Sequence, residues 1–165
     1  MPSNFYTAGA AAMTSNADDW ETPRALFDEL NARYGFTLDP CATHENAKCR
    51  KHYTAAEDGL AQDWSGETVF VNPPYGRNMA DWVRKCAEES KRAKVVMLIP
   101  ARTDTVYFHD YIYHRARVTF IRGRLRFERG GSPSTRRRSQ VWSWSFPTRN
   151  RPPIDRGSKC RAIQI

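Results

Sequence analysis

The sequence predicts an α/β protein with a mostly parallel sheet covered by helices on both faces. Three observations lead there. Residues 68–71 and 95–100 are continuously apolar and rich in β-branched residues, as strands buried on both faces are. Between them, residues 79–92 place Trp82, Val83 and Cys86 on one helical face. Strand and helix signals alternate along the chain, the order that βαβ units require.

In chain order, residues 1–14 are small, polar and unpatterned, and are expected to be disordered. Thr22-Pro23 has the form of a helix start, with Thr22 as N-cap and Pro23 at the first helical position. Leu26, Phe27, Leu30 and Tyr34 follow at helical spacing, and Gly35 ends that helix. Residues 36–38 form a short strand candidate that runs into Asp39-Pro40. Residues 41–66 are polar, with one helical turn near Ala47 and an extended piece at 52–54. The strand at 68–71 stops abruptly at Asn72-Pro73-Pro74-Tyr75-Gly76. After the helix at 79–92 and the strand at 95–100 come a helix around 106–113, a strand at 117–121, and then Gly123.

The 165 residues fit one domain, and 40% hydrophobic residues supply a core despite a mean hydropathy of −0.72. No apolar run approaches the ~20 residues of a membrane helix. No basic stretch leads into an apolar one at the N-terminus, so the sequence predicts a cytoplasmic protein with reduced thiols. The net charge of +8 invites a nucleic-acid reading, but it is unevenly placed. Residues 133–165 hold eight basic side chains and one acid, which leaves +1 for the other 132 residues. A domain over 15–132 followed by a basic, disordered tail over 133–165 is the organisation this implies.

Cys41, His44, Cys49 and His52 have the spacing C-x2-H-x4-C-x2-H, two pairs of ligand types that bind zinc. The middle spacing is short for a zinc module. The reading preferred is a small core cysteine, a second cysteine and two solvent-facing imidazoles, with no metal.

Asn72-Pro73-Pro74-Tyr75 carries the chemistry. It follows a buried strand, and in a doubly wound sheet ligands sit beyond the carboxyl ends of the strands. Methyl transfer to an amino nitrogen needs that nitrogen's lone pair freed from conjugation. The Asn72 side-chain oxygen and a main-chain carbonyl of the proline pair can accept both amino hydrogens, and the two prolines keep these acceptors pre-aimed. Tyr75 offers an aromatic face on which a flipped base can stack. Arg77, next to the motif, is placed to meet a DNA phosphate. Arg102, with Asp104 orienting it, is a second candidate, and a helix-start cluster is the equal alternative for Arg102-Thr103-Asp104.

These features resemble the phage-encoded DNA N-6-adenine methyltransferases. Blocks that match in order include Trp20-x-Thr22-Pro23, Leu38-Asp39-x-Cys41-Ala42, Asn46-Ala47-x-Cys49, Asp58-Gly59-Leu60 with Trp64, and Val71-Asn72-Pro73-Pro74-Tyr75-Gly76-Arg77. Further blocks are Pro100-Ala101-Arg102-Thr103-Asp104-Thr105 and Phe120-Ile121-x-Gly123-Arg124-Leu125-x-Phe127. The resemblance implies a Rossmann-like class I fold and S-adenosyl-L-methionine as methyl donor. It implies adenine in DNA as substrate, flipped into the Asn72–Tyr75 pocket. Asp39-Pro40 would lie where the cofactor's amino-acid part binds, Thr22-Pro23 would close over its methionine end, and Asp58 is a candidate for the adenosine part. An exposed turn aspartate is the equal alternative for Asp58. The superfamily's glycine-rich loop is replaced by Cys41-Ala42-Thr43. Two other functions are compatible with the motif: methylation of a glutamine side-chain amide, and DNA binding without catalysis.

Beyond Ser132 the block-by-block match stops. The family's usual Ala-Pro-Phe-Pro segment and Val-Val-Val-Phe strand are absent, so the last strand is expected to be missing or altered. With suitable codons, residues 134–146 read in the next frame give Asp-Glu-Ala-Pro-Phe-Pro-Gly-Met-Val-Val-Val-Phe. A frameshift near residues 132–134 is therefore one origin for the tail, which the nucleotide sequence would test. A DNA-binding arm, with Trp142 and Trp144 stacking on bases, is the other.

Overall fold

The computed structural model describes residues 21–129, 132–133 and 141–146. The expectations for residues 1–14 and Trp20 lie outside them. Helix α1 (Arg24–Tyr34) is followed by strands β1 (Leu38–Asp39), β2 (Lys51–His52) and β3 (Thr68–Val71). Helix α2 (Met79–Glu89), β4 (Lys94–Pro100), a π-helical turn (Phe108–Ile112) and β5 (Arg117–Phe120) come next. Three further strands follow among the described residues: β6 (Glu128–Arg129), β7 (Ser132–Pro133) and β8 (Val141–Phe146).

The main sheet has the order β2-β1-β3-β4-β8-β5. β2, β1, β3 and β4 are mutually parallel, and β8 is antiparallel to both β4 and β5. This is the mixed α/β architecture, with its parallel part, that the sequence predicts. The two faces separate by residue parity. Val69, Val71, Met97 and Ile99 face α2 and the π-helical turn, packing with Trp82, Val83, Cys86, Phe108 and Ile112. Phe70 and Leu98 face α1, where Phe27 meets Phe70 edge-on at a centroid distance of 5.2 Å. Period-2 alternation on a strand buried on both sides dictates this partition.

Two expectations need correction. Thr22 does not cap α1: Pro23 is the cap residue, with no side-chain cap bond, and Thr22 is buried at 1% exposure. Glu21 is held in an antiparallel bridge with Glu128, which fixes the chain just before Thr22. The tail is the second. β8 lies wholly within the segment read as disordered, and β7 crosses its boundary. The alternating Val-Trp-Ser-Trp-Ser-Phe pattern has high β-propensity, and inserting it covers the edge of β4 that would otherwise be open. The last strand is thus present at Val141–Phe146. Residues 134–140 and 147–165 lie outside the described residues. Gly35 ends α1 as expected, in the left-handed region at φ 66°.

Candidate active site

Parallel pairing of β1, β3 and β4 brings their carboxyl ends to one edge of the sheet. Asp39 ends β1, Asn72 follows β3, and Ala101 follows β4. A cleft opens at this edge. Its wall includes Thr22, Asp39 and the whole of Asn72-Pro73-Pro74-Tyr75. Six of the residues singled out from sequence therefore share one cavity.

The loop after β1 shapes the cleft without glycines. Asp39 Oδ2 accepts a hydrogen bond from the Lys48 backbone N–H at 3.1 Å, and Oδ1 accepts a longer one from Cys41 at 3.4 Å. Between these, Thr43 N–H donates to Asn46 Oδ1 at 2.7 Å, and Asn46 N–H donates to Thr43 Oγ1 at 3.3 Å. This reciprocal turn wraps the chain around the carboxylate. Burial pushes the Asp39 pKa above its ordinary value, against the two backbone N–H groups and the nearby His52 and Lys48 charges.

Thr22 adds a buried, orphaned polar group to the cleft wall. Its hydroxyl oxygen is buried and has no hydrogen-bond partner among the described residues. Such an orphan costs about 1–3 kcal/mol unless something satisfies it. Lys48 and Glu21, both largely buried, also line the cleft and approach each other at 4.0 Å. The wall therefore holds a hydroxyl, two carboxylates and an ammonium. That donor set suits a small molecule carrying both charged and polar groups.

Tyr75 is half-buried, its ring edge-on to Phe127 at 6.0 Å. The side-chain oxygen of Asn72 and the hydroxyl of Tyr75 are both shielded from solvent. Pro73 is buried, which fixes the loop between them.

The remaining predicted residues lie outside the cleft wall. Pro23 and Pro40 directly follow the wall residues Thr22 and Asp39 in the chain. Asp58 is exposed, at φ 51°, and its carboxylate accepts from the Leu60 backbone N–H at 3.2 Å, which is the turn role. Arg77, Arg102 and Asp104 are exposed at the same edge of the sheet. Arg102 and Asp104 form no ion pair among the described residues, so the expected orienting contact is not made. Thr105, not Thr103, holds the turn there, its hydroxyl donating to the Arg102 carbonyl at 2.8 Å.

The Cys/His constellation does not converge. Cys49 belongs to the core on the α1 side, whereas Cys41 packs against the core on the α2 side. His44 Nδ1 and His52 Nε2 lie 2.9 Å apart and share a hydrogen bond. Burial pushes the Cys41 thiol well up and the Cys49 thiol up to about 12, so neither is a thiolate nucleophile near neutral pH. The reasoning from sequence missed Glu21, Thr43, Asn46 and Lys48. Asn46 had a signal in the Asn46-Ala47-x-Cys49 block, but nothing in Glu21 or Lys48 marks a cleft residue before the chain folds.

The family model for DNA N-6-adenine-methyltransferase (Dam) matches residues 9–147, a span that runs past Ser132 and includes β8. A protein of Escherichia phage T1 named DNA N-6-adenine-methyltransferase is 33% identical over 111 residues, 66% of this chain and 46% of that protein. A protein of the same name from Haemophilus phage HP1 is 28% identical over 110 residues, 65% of this chain and 64% of that protein. The chain thus spans less than two thirds of the length of either relative.

Proposed function

Because the chain belongs to the DNA N-6-adenine-methyltransferase (Dam) family, we propose that it transfers a methyl group from S-adenosyl-L-methionine to the exocyclic amino nitrogen of adenine in DNA. The observation that carries the reading is the shared cleft: Asn72-Pro73-Pro74-Tyr75 and the Thr22/Asp39 polar wall face one cavity at the carboxyl edge of a parallel sheet.

The chemistry follows from the acceptors. In adenine the amino lone pair is delocalised into the ring. The Asn72 side-chain oxygen accepts one amino hydrogen and a proline-pair carbonyl accepts the other. These bonds hold the amino group out of conjugation and aim its lone pair into the cleft. Tyr75 stacks on the base, which must leave the duplex to enter. Thr22, Asp39, Glu21 and Lys48 bind and orient the cofactor. When bound, the cofactor supplies an electrophilic methyl on sulfonium sulfur. The amino nitrogen held by Asn72 and the proline-pair carbonyl would accept that methyl and release its surplus proton. That proton is strongly acidic after attack, so no side chain need be a strong base. No helix among the described residues is long and apolar enough to cross a membrane.

The test is methyl transfer from labelled S-adenosyl-L-methionine to adenine-containing duplex DNA. Asn72→Ala should lower turnover about 10²–10³-fold, as removing one preorganised polar contact at a reacting atom does. Tyr75→Ala should weaken it less. Activity untouched by both changes would sink the assignment.

A further inference from the structure

We propose that residues 121–127 form a phosphate-binding strap in which Arg122, Arg124 and Arg126 grip the DNA backbone beside the target base. The proposal rests on the reading of DNA as substrate and adds residues beyond Arg77 and Arg102.

The path of the strap comes first. β5 is antiparallel to β8, and β8 is antiparallel to β4, so β5 runs in the same direction as β4. Its carboxyl end therefore lies at the edge that carries the cleft. Gly123, at φ 88°, lets the chain turn there. Ile121 and Leu125 then pack on the α1-side core, and Phe127 is fully buried against Tyr75. Glu128 exchanges two backbone hydrogen bonds with Glu21, at 3.0 and 2.9 Å. The strap is thus pinned to the pocket's aromatic residue and to the cleft wall.

Its outer face is of one chemistry. While Ile121, Leu125 and Phe127 turn inward, Arg122, Arg124 and Arg126 are all exposed. None of the three has a carboxylate or other partner among the described residues. Elsewhere some surface cations are matched, Arg24 with Asp28 at 3.0 Å, Arg84 with Asp81 at 3.0 Å and Lys51 with Glu67 at 2.7 Å, while exposed cations without an ion pair among the described residues, such as Arg50 and Lys94, stand apart from one another in sequence. Residues 1–132 carry only +1. Three exposed guanidiniums on seven residues, without partners among the described residues, are a local concentration and not a share of general basicity.

A guanidinium presents a planar fork of donors that matches phosphate oxygens two at a time. After the turn at Gly123, Arg124 and Arg126 alternate with Leu125 and Phe127, and alternate residues of an extended segment stand about 6.6 Å apart, a step suited to successive phosphates of one strand, while Arg122 approaches from before the turn. The apolar anchors hold the backbone in place beforehand, which lowers the ordering cost of binding. DNA whose base enters the Tyr75 pocket must pass its backbone near this strap.

The experiment uses the full chain, labelled adenine-containing duplex DNA, and dissociation constants across a salt series. Replacing the three arginines together (Arg122→Gln, Arg124→Gln, Arg126→Gln) should lower the slope of log Kd against log salt by about 2–3, since each phosphate contact contributes about 0.9. KM for DNA should rise, and S-adenosyl-L-methionine affinity should be unchanged. The corresponding triple lysine variant should retain the slope. An unaltered slope in the glutamine variant overturns the proposal. So does loss of cofactor affinity in both variants, which would make the strap merely structural. If the wild type does not methylate adenine but the glutamine variant still flattens the slope, the proposed activity fails and the strap stands. If the wild type methylates and the glutamine variant binds DNA like it, the strap alone fails.

Discussion

Asp39 and Glu89 are both buried carboxylates, at 5% and 1% exposure, and their surroundings push them in opposite directions. Burial raises both. Around Glu89, hydrogen bonds from Arg92 at 2.9 and 3.0 Å and from Lys85 at 2.8 Å reverse that effect and hold its pKa below the ordinary carboxylate range. Around Asp39, two backbone N–H groups and more distant cations do not, and its pKa stays raised. The first carboxylate is saturated by its own protein. The second is desolvated, held in place, and faces a cleft. Saturation suits a structural group, and a desolvated, under-compensated carboxylate facing a cleft is what the proposed cofactor-binding role of Asp39 calls for.

The two sites are joined. Glu89 accepts from the Trp64 backbone N–H at 3.4 Å, and the Trp64 indole donates to the Gly59 carbonyl at 3.1 Å. Gly59 lies so close to Pro40 that a Cβ there would overlap the Pro40 carbonyl oxygen. Gly59→Ala should break this link and has the largest expected effect. It should cost about 3 kcal/mol or more in urea unfolding and weaken cofactor binding as well, because Pro40 carries Asp39 with it. Unchanged cofactor affinity in a destabilised variant would separate the two sites.

Glu89→Gln should come next. It should destabilise by about 2–3 kcal/mol, less than breaking a fully buried pair, because the Arg92 guanidinium stays largely exposed. Cofactor affinity should hold. Asp39→Asn should invert that pattern: stability within about 1 kcal/mol of wild type, and cofactor affinity at least about tenfold weaker.

The pH profile sharpens the contrast. The Glu89 contribution is complete above the ordinary carboxylate pKa and is lost as pH falls through its lowered folded value. For Asp39 the sign reverses, because ionisation disfavours the folded state. Its cost enters as pH rises from the ordinary value to the raised one. Glu89→Gln should therefore flatten the acid limb of the stability profile. Asp39→Asn should remove the loss on the rising-pH side. Identical profiles for the two variants would void the distinction.

Much of this was legible beforehand. The strand at Thr68–Val71 and the start of α2 at Met79 stand where the pattern put them, because burial on both faces and helical periodicity are local signals. Asn72–Tyr75 was readable as a candidate site because its chemistry lies in consecutive residues, and the fold places all four on the cleft wall. Asp104 as orienter of Arg102, and Thr22 as a cap, were not upheld. Both readings assumed local partners that the folded chain does not supply among the described residues. The tail misled for a related reason. Its arginines and prolines suggested disorder, while the alternation at Val141–Phe146 needed two partner strands, β4 and β5, to become a strand.

By itself the sequence determined the fold class, the strand–motif junction at Asn72, and the family to which the chain belongs. These depend on spacing and on adjacent residue types, which the chain carries before it folds. Only the tertiary structure decided that Glu21, Thr22, Asn46 and Lys48 share a cleft with Asp39. The fold also set Asp39 apart from Glu89 and ran an arginine strap alongside Tyr75. Each of these depends on burial and on contacts between segments far apart in sequence, and those exist only once the sheet has assembled.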